Sequence, residues 1–281
     1  MGHDLKQKVV QLGSRISFGN DLNFVLIAGI NVLESRDLAL RVGEKLKAMT
    51  EKLDIPYVFK ASFDKANRSS IHSFRGPGLD EGLRILQDVK TALDVPVITD
   101  IHEPAQAQPV AEVSDIIQLP AFLCRQTDLL KAAADTGKII NVKKMQMMAP
   151  WDVNNIYQKL EELGCEKILM CERGTQFGYN NLVVDPLSFP ELKKFGYPVV
   201  FDVTHSLQQP GGLGAATAGR GSYAPDLAVM SISMGISAIF METHPDPETA
   251  KCDGPCATPL DEMEKLLCRL KKFDNLAKHI D

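Results

Sequence analysis

The feature that most constrains the fold is a short apolar run that recurs along the chain and ends each time in polar residues. These runs predict buried strands, and amphipathic stretches of helical period separate them. Strands with helices on one face and core on the other need not alternate in polarity. The runs lie at 24–29, 55–59, 95–103, 115–120, 139–144, 167–174, 198–205 and 238–244. Eight strands alternating with helices predict an α/β protein with a (β/α)8 TIM barrel.

A doubly wound open sheet is the competing fold. An open sheet would concentrate polar residues near its switch point, whereas here they follow all eight strands, which favours the barrel. The 281 residues, 44% of them hydrophobic, suit a single domain over 1–281. Two short runs within about 9–18 predict an N-terminal β-hairpin that closes the barrel bottom. Helices are expected at 37–53, 79–93, 105–113, 127–136, 153–163 and 259–270.

The charge balance excludes several classes of partner. A formal net charge of −5 and a pI near 5.7 argue against nucleic acid and anionic membranes, which select basic surfaces. Residues 1–20 lack the apolar core of a secretory signal, and the uncharged stretch 227–241 is too short to span a bilayer. The six cysteines have no paired CxxC spacing and are interpreted as reduced, mostly buried thiols of a cytoplasmic protein.

A basic loop at 60–70 follows the second predicted strand. Lysine supplies compact charge, arginine a planar fork, and serine hydroxyls with loop amides complete a cradle for phosphate. The loop therefore indicates an anion site, although a solvated basic loop would have the same composition. Its polar members are Lys60, Lys65, Asn67, Arg68, Ser69 and Ser70.

Polar residues at the other strand ends would join this loop, because the carboxyl ends of barrel strands converge on one mouth. They are Asn31, Asp100, His102, Glu103, Gln118, Lys143, Arg173, His205, Glu242 and His244. Five cations, Lys60, Lys65, Arg68, Lys143 and Arg173, would collect there. Their mutual repulsion calls for an anionic ligand of roughly −3 to −5 charge, such as one carrying a carboxylate and phosphates.

Three alternatives stay open from the residues alone. Lys143 could pair with a carboxylate, or could be the Schiff-base lysine of an aldolase. His205, Glu242 and Asp253 could hold a divalent metal or form a hydrogen-bonded cluster without one. The glycine-rich segment 209–221 lacks the spacing of a phosphate-binding P-loop and is interpreted as a lid.

Several longer motifs resemble one family, the 3-deoxy-D-manno-octulosonate 8-phosphate synthases. They are KASFDKANRSS at 60–70, TDIHE at 99–103, QLPA at 118–121, CERG at 171–174, FGY at 177–179, DVTHS at 202–206 and ETHP at 242–245. The similarity runs from about residue 24 to 267. It implies condensation of phosphoenolpyruvate with D-arabinose 5-phosphate and water, for lipopolysaccharide biosynthesis, by a homotetramer. The related heptulosonate and sialic acid synthases, or a sugar-phosphate-binding barrel without activity, are the alternatives.

The resemblance also implies roles for individual residues. Lys60 and Lys65 would hold the phosphoenolpyruvate carboxylate, and Lys143 with Arg173 its phosphate. The arabinose phosphate would lie on Asn67, Arg68 and Ser69. Gln118, Ala121 and Gln146 would complete substrate binding, and Asp100, His102, His205 and Glu242 are the candidates for proton transfer.

The family that the chain resembles has a metal-using branch and a metal-free branch. One branch of the family holds a divalent ion with Cys, His, Glu and Asp, and the other has Asn in place of Cys. Asn31 stands at that position, with His205, Glu242 and Asp253 retained as a vestigial site. A neutral amide is a poorer ligand for a soft metal than a thiolate, so we expect no required cofactor and a dispensable metal. The segments 149–152 and 210–214 look more like the metal-using branch, and Met145 and Cys256 like neither.

Overall fold

The computed structural model describes residues 6–212 and 218–279. Its strands are β1 (Val10–Leu12), β2 (Ile16–Phe18), β3 (Val25–Gly29), β4 (Tyr57–Lys60), β5 (Val97–Asp100), β6 (Ile116–Leu119), β7 (Ile139–Lys143), β8 (Ile168–Glu172), β9 (Thr175–Gln176), β10 (Leu182–Val183), β11 (Val199–Asp202), β12 (Gln208–Gln209), β13 (Ala218–Gly219), β14 (Ala238–His244) and β15 (Thr258–Pro259). Its α-helices are α1 (Arg36–Leu53), α2 (Leu79–Leu93), α3 (Ala107–Val113), α4 (Thr127–Asp135), α5 (Asn154–Glu162), α6 (Ser188–Lys193), α7 (Val203–Ser206), α8 (Ala224–Ile232) and α9 (Met263–Lys278).

Eight parallel strands close into a barrel. Their order is β3-β4-β5-β6-β7-β8-β11-β14, and β14 pairs back onto β3 to complete the ring. Because β14 contacts both β11 and β3, these strands form a closed ring and not an open sheet, so the predicted (β/α)8 barrel is confirmed. Their carboxyl ends open at one mouth, where polar side chains replace the apolar ones.

Two apolar cores lie on the two sides of the barrel wall. Inward-facing side chains such as Ile27, Ile98 and Val200 fill the lumen, while outward-facing ones such as Leu26 and Phe201 pack beneath the helices. Every residue of the eight barrel strands is buried. This burial on both faces explains why the strands read as continuous apolar runs.

The predicted N-terminal hairpin is present. β1 and β2 pair antiparallel, with Val10 opposite Phe18. Val10, Ile16 and Phe18 are buried and belong to the same cluster as the lumen residues Val25 and Ala238, each at the start of its strand. The hairpin therefore packs against the amino-terminal end of the barrel and leaves the opposite end open for a site.

Some sequence-based boundaries were wrong. His205, predicted within the seventh barrel strand, lies on the short helix α7, because the Asp202 carboxylate accepts the backbone N–H of His205 and ends the strand. The last helix is α9, later and longer than the predicted 259–270, since a 3-10 turn over Leu260–Glu262 precedes it. Helix α6 and the ribbons β9–β10 and β12–β13 were not predicted, as they are too short to show periodicity.

The lid prediction is only partly covered, because residues 213–217 lie outside the described residues. Described cysteines are all free thiols; five are buried and Cys268 is exposed. Among the helices described, none is both long and apolar enough to cross a bilayer.

Candidate active site

A large cavity of about 1700 Å³ opens at the carboxyl-terminal mouth of the barrel. It is lined by most of the residues that the sequence singled out: Lys65, Asn67, Arg68, Ser69, Asp100, His102, Gln118, Ala121, Lys143, Gln146, Arg173, His205 and Asp253. Asn31, Lys60 and Glu242 are not on its surface but are buried around it. Convergence at the mouth thus brings together residues separated by more than 180 positions, such as Arg68 and Asp253.

The basic loop is anchored on both sides. Arg75 donates to the Asp64 carboxylate at 2.8 Å, and the Lys65 backbone N–H donates to the Arg75 carbonyl at 2.7 Å. Lys65 itself is mostly buried, and its Nζ lies 3.9 Å from Glu242 Oε1. Burial alone would lower the pKa of Lys65, but Glu242 and Asp100 raise it above its ordinary value, so the side chain carries its charge into the cavity.

Lys60 lies at the end of β4 and is fully buried. Its Nζ donates to Glu242 Oε1 at 2.6 Å, to Ser62 Oγ at 3.0 Å and to the Asn31 carbonyl at 3.1 Å. Burial lowers the pKa of Lys60, against the attraction of Glu242. For Glu242 burial would raise the pKa, but His205 and Lys60 bring it below its usual range. Lys60 is therefore committed to protein acceptors, and its direct contact with a substrate stays a prediction.

A second polar chain crosses the floor of the cavity. Asp100 accepts from Ser62 Oγ at 2.7 Å and from Gln118 Nε2 at 2.8 Å, and Gln118 accepts in turn from Asn141 Nδ2 at 2.9 Å. Burial would raise the pKa of Asp100, but Lys60 and Lys65 hold it well below its usual range. Asp100 is thus an ionised acceptor that is held by Gln118 on β6 and by Ser62 in the segment after β4. Ser62 and Asn141 were not among the predicted site residues. Ser62 lies within the KASFDKANRSS motif, which marked it, whereas nothing in the sequence separates Asn141 from structural polar residues.

Asp202 is the most informative residue that the sequence did not single out. Its carboxylate is fully buried, accepts from Lys143 Nζ at 2.5 Å, and lies 2.8 Å from His205 Nδ1. Burial would raise the pKa of Asp202, but His205 and Lys143 hold it far below its ordinary value. Of the alternatives that the sequence left open for Lys143, pairing with a carboxylate is therefore observed. Asp202 is the first residue of the DVTHS motif at 202–206, and this motif could have identified it as a site residue.

His205, Glu242 and Asp253 converge on the other side of the imidazole. His205 Nε2 lies 3.6 Å from Glu242 Oε2 and 4.0 Å from Asp253 Oδ2, and one ligand atom from each residue falls within 4.8 Å of the others. Asn31 Nδ2 donates to Asp253 Oδ2 at 2.8 Å. Burial would raise the pKa of Asp253, but His205 and Lys65 lower it to about 2. These three residues offer ligand atoms suited to a divalent ion, and Asn31 presents an amide N–H to Asp253.

Arg173 and Gln146 lie beside Lys143 on the wall formed by the ends of β7 and β8. Arg173 donates through Nη2 to Gln208 at 2.8 Å, while its buried Nη1 and the Gln146 Oε1 atom have no hydrogen-bond partner among the described residues. Burial lowers the pKa of Arg173. Because an unpaired buried guanidinium N–H costs free energy, this wall is prepared to receive an anion.

Cys252 also borders the cavity and was not predicted to belong to it. Its Sγ contacts the Arg68 guanidinium and donates to Asp253 Oδ2 at 3.2 Å. Burial, reinforced by Asp253, raises the pKa of the Cys252 thiol to about 12. The thiol is therefore protonated and serves as a neutral wall residue between the basic loop and Asp253.

The chain is similar to known proteins along almost its whole length. Residues 6–279 match the model of the DAHP synthetase I family. The chain is 57% identical over 277 residues to the 2-dehydro-3-deoxyphosphooctonate aldolase of Psychromonas ingrahamii, covering 99% of this chain and 98% of that protein. It is 59% and 58% identical over 274 residues to proteins of the same name from Pseudomonas paraeruginosa and Hahella chejuensis, covering 98% of this chain and 97% of each relative. The chain belongs to the DAHP synthetase I family.

Proposed function

We propose that the protein condenses phosphoenolpyruvate with D-arabinose 5-phosphate and water, forming 3-deoxy-D-manno-octulosonate 8-phosphate and inorganic phosphate. The observation that carries the proposal is one cavity with two separate cationic regions, Lys143 with Arg173 and the loop of Arg68, around a set of ionised carboxylates and an imidazole. The name of the full-length relatives specifies a phosphorylated 3-deoxyoctonate, the same kind of eight-carbon sugar acid.

The reaction requires two anions to be held face to face. C3 of phosphoenolpyruvate attacks the aldehyde carbon of the sugar, water adds to C2, and the C2–O bond to phosphate then breaks. We assign the phosphoenolpyruvate phosphate to Lys143, Arg173 and Gln146, and its carboxylate to Lys65, supported by Lys60. Positioning of this kind supplies much of the rate enhancement of a bimolecular step. Cations flanking C2 also stabilise the charge that develops there.

The sugar phosphate is assigned to the basic loop. Asn67, Arg68 and Ser69 line the cavity and lie on a loop that Asp64 and Arg75 anchor. Gln118, near the end of β6, and Ala121, in the turn that follows β6, are assigned to the sugar chain. With one phosphate held at each region, the aldehyde carbon of the sugar is directed toward the centre of the cavity.

Proton transfer is assigned to two histidine–aspartate pairs in the cavity, His205 with Asp202 and His102 with Asp100. Asp202 accepts from His205 Nδ1 and so leaves Nε2 facing Glu242 and Asp253. This arrangement suits His205 to exchange a proton with the attacking water, and Asp100 with His102 to serve the aldehyde oxygen. His102 Nε2 lies 3.9 Å from Asp100 Oδ2, and burial lowers the pKa of His102, which favours the neutral imidazole at physiological pH.

A Schiff-base mechanism receives less support. A lysine that forms a carbinolamine must offer a free amine to the carbonyl. Lys143 Nζ instead donates to Asp202 at 2.5 Å and lies 3.4 Å from His205 Nδ1. Borohydride treatment in the presence of a carbonyl substrate is expected to leave Lys143 unmodified, and a trapped adduct on Lys143 would favour the aldolase.

We also propose that no metal is required. His205, Glu242 and Asp253 could hold a divalent ion, which would supply Lewis-acid polarisation when bound. Asn31, however, donates to Asp253, and Lys60 already neutralises Glu242 at 2.6 Å. The charge that an ion would compensate is thus largely compensated by the chain itself.

The assembly and cellular setting are further parts of the proposal. Large apolar side chains are exposed on loops that follow β6, β7 and β8: Phe122, Met147, Trp151, Phe177 and Tyr179. Such exposure is typical of interaction surfaces, and it supports the homotetramer that the resemblance implies. We propose a cytoplasmic tetramer acting in lipopolysaccharide biosynthesis, and multi-angle light scattering at micromolar concentration tests its mass.

The test of the function is phosphate release from phosphoenolpyruvate on addition of arabinose 5-phosphate. The enzyme is first treated with a chelator and then assayed with and without added Mn2+. We expect full activity in the chelated sample. Activity only after Mn2+ is restored would overturn the metal proposal alone. No release in either sample, with erythrose 4-phosphate and N-acetylmannosamine also tested, would overturn the condensation.

A further inference from the structure

A buried ion pair lies directly behind the wall that carries Lys143 and Arg173. Lys144 directly follows β7 and continues its pairing with β8, since its backbone N–H donates to the Cys171 carbonyl at 2.8 Å. Successive side chains of such a segment point to opposite faces, so Lys144 faces away from the cavity that Lys143 lines. In the same way Glu172, the last residue of β8, faces away from the cavity that Arg173 lines. Lys144 and Glu172 are 0% and 1% exposed, and neither borders the cavity. Lys144 Nζ lies 3.6 Å from Glu172 Oε2.

Each member of this pair also binds the backbone of a loop at the mouth. Lys144 Nζ donates to the Met148 carbonyl at 3.1 Å and to Thr175 Oγ1 at 3.3 Å, so it links the segment after β7 to the segment after β8. Glu172 Oε1 accepts the backbone N–H groups of Arg173 at 3.0 Å and Gly174 at 2.7 Å. These bonds fix the turn in which Arg173 leaves β8.

The same two loops are joined once more at the cavity. The Gln176 backbone N–H donates to the Gln146 carbonyl at 2.9 Å. Gly174 has φ +88, a conformation that favours glycine, and so the turn after Arg173 has a defined and unusual geometry. The pair therefore holds in register the segments that present Lys143, Gln146 and Arg173.

Stability alone does not account for a charge pair in this place. Taking two charges out of water carries a large desolvation cost, and apolar replacement of a buried pair is often neutral or stabilising. The pair has a clear use in positioning, since phosphate recognition by Lys143 and Arg173 depends on where these two side chains lie relative to each other. We infer that Lys144 and Glu172 are positioning residues, which set the two phosphate-binding loops for phosphoenolpyruvate without touching it. This inference rests on the proposed function.

The test compares the Lys144→Met/Glu172→Gln double variant with the native protein. Glutamine keeps an acceptor for the Arg173 and Gly174 N–H groups, and methionine keeps the volume, so both charges are removed together. We expect the calorimetric Kd and the KM for phosphoenolpyruvate to rise by about 10-fold or more, because misaligned loops would weaken at least one charge-assisted hydrogen bond to the phosphate. The KM for arabinose 5-phosphate should stay within about 2-fold, since the basic loop is held separately.

A matched control is the buried pair Asp274 and Lys278, whose Oδ1 and Nζ atoms lie 2.6 Å apart on α9, with side chains 2% and 3% exposed. The Asp274→Asn/Lys278→Met variant should lose stability without a change in the KM for phosphoenolpyruvate. Should the first double variant not fold, Thr175→Val removes only one Lys144 acceptor and is expected to raise the Kd for phosphoenolpyruvate about 3-fold.

Two results would overturn the inference in distinguishable ways. A Kd for phosphoenolpyruvate within 2-fold of native in the folded double variant, or in Thr175→Val, would show that the pair does not position the loops. Failure of the native protein itself to bind phosphoenolpyruvate would refute the proposed function, and with it the role assigned to the pair.

Discussion

Replacement of Asp202 by asparagine should separate substrate binding from catalysis. The Asp202 carboxylate is the common acceptor of Lys143 and His205, at 2.5 and 2.8 Å, and is fully buried. Asparagine has nearly the same shape, and its side-chain oxygen can still accept the backbone N–H of His205, but it carries no charge. The variant therefore leaves Lys143 uncompensated and removes the acceptor that fixes the imidazole.

The expected magnitudes follow from these contacts. Removing one partner of a buried ion pair costs about 3–5 kcal/mol, and the lower end applies because Lys143 borders the open cavity. For a chain of this length that corresponds to a fall in Tm of roughly 6 °C. An uncompensated Lys143 attracts phosphate more strongly, so the KM for phosphoenolpyruvate should not rise. The rate should fall by about 10²- to 10⁴-fold, as it does where an asparagine replaces the aspartate that orients a catalytic histidine.

The assay is steady-state phosphate release at varied phosphoenolpyruvate, together with thermal melts with and without that substrate. The Asp274→Asn variant serves as the control, because Asp274 is an equally buried partner of a lysine on α9. It should lower Tm and leave kcat unchanged. A kcat within about 10-fold of native for Asp202→Asn, or a sharp rise in its KM for phosphoenolpyruvate, would refute the assigned role of Asp202.

Two further predictions concern titratable groups. Asp253 has a folded pKa of about 2, below the ordinary value near 3.9, so its carboxylate stabilises the folded state above about pH 4 and that contribution is lost as the pH falls toward 2. Urea denaturation should therefore give a lower free energy of unfolding at pH 3 than at pH 6, and a higher value at pH 3 would contradict this sign. Iodoacetamide at pH 8 should alkylate the exposed Cys268 well before Cys252, whose pKa burial raises to about 12. Peptide mapping showing equal rates for the two thiols would contradict the protonated, enclosed state of Cys252.

Most of the site could be predicted because the barrel converts position along the chain into position in space. Once 139–144 is recognised as a strand, Lys143 must lie near the mouth, and the same holds for Asp100 and Gln118. The local chemistry of the loop at 60–70 was likewise readable, since its cations and hydroxyls are adjacent in the sequence. These inferences needed only strand order and residue type.

The sequence did not show which side chains of the site pair with each other. Whether Lys60 faces a substrate or Glu242 depends on 2.6 Å contacts between residues 182 positions apart. Asp202 reads from the sequence as the last residue of a strand, and only the fold shows that it joins Lys143 to His205. The assignment of His205 to a strand failed for a related reason, because the capping bond from its own N–H to Asp202 ends β11.

The fold class, the mouth at which the site forms and its excess of cations could thus be predicted from residue order, because apolar period and strand-end chemistry are local properties. Which cations are neutralised inside the protein, and which remain available for a ligand, became clear only from contacts between distant strands. That division depends on distances of a few ångströms in a low-dielectric interior, where a carboxylate from a distant strand changes both the charge and the orientation of its partner.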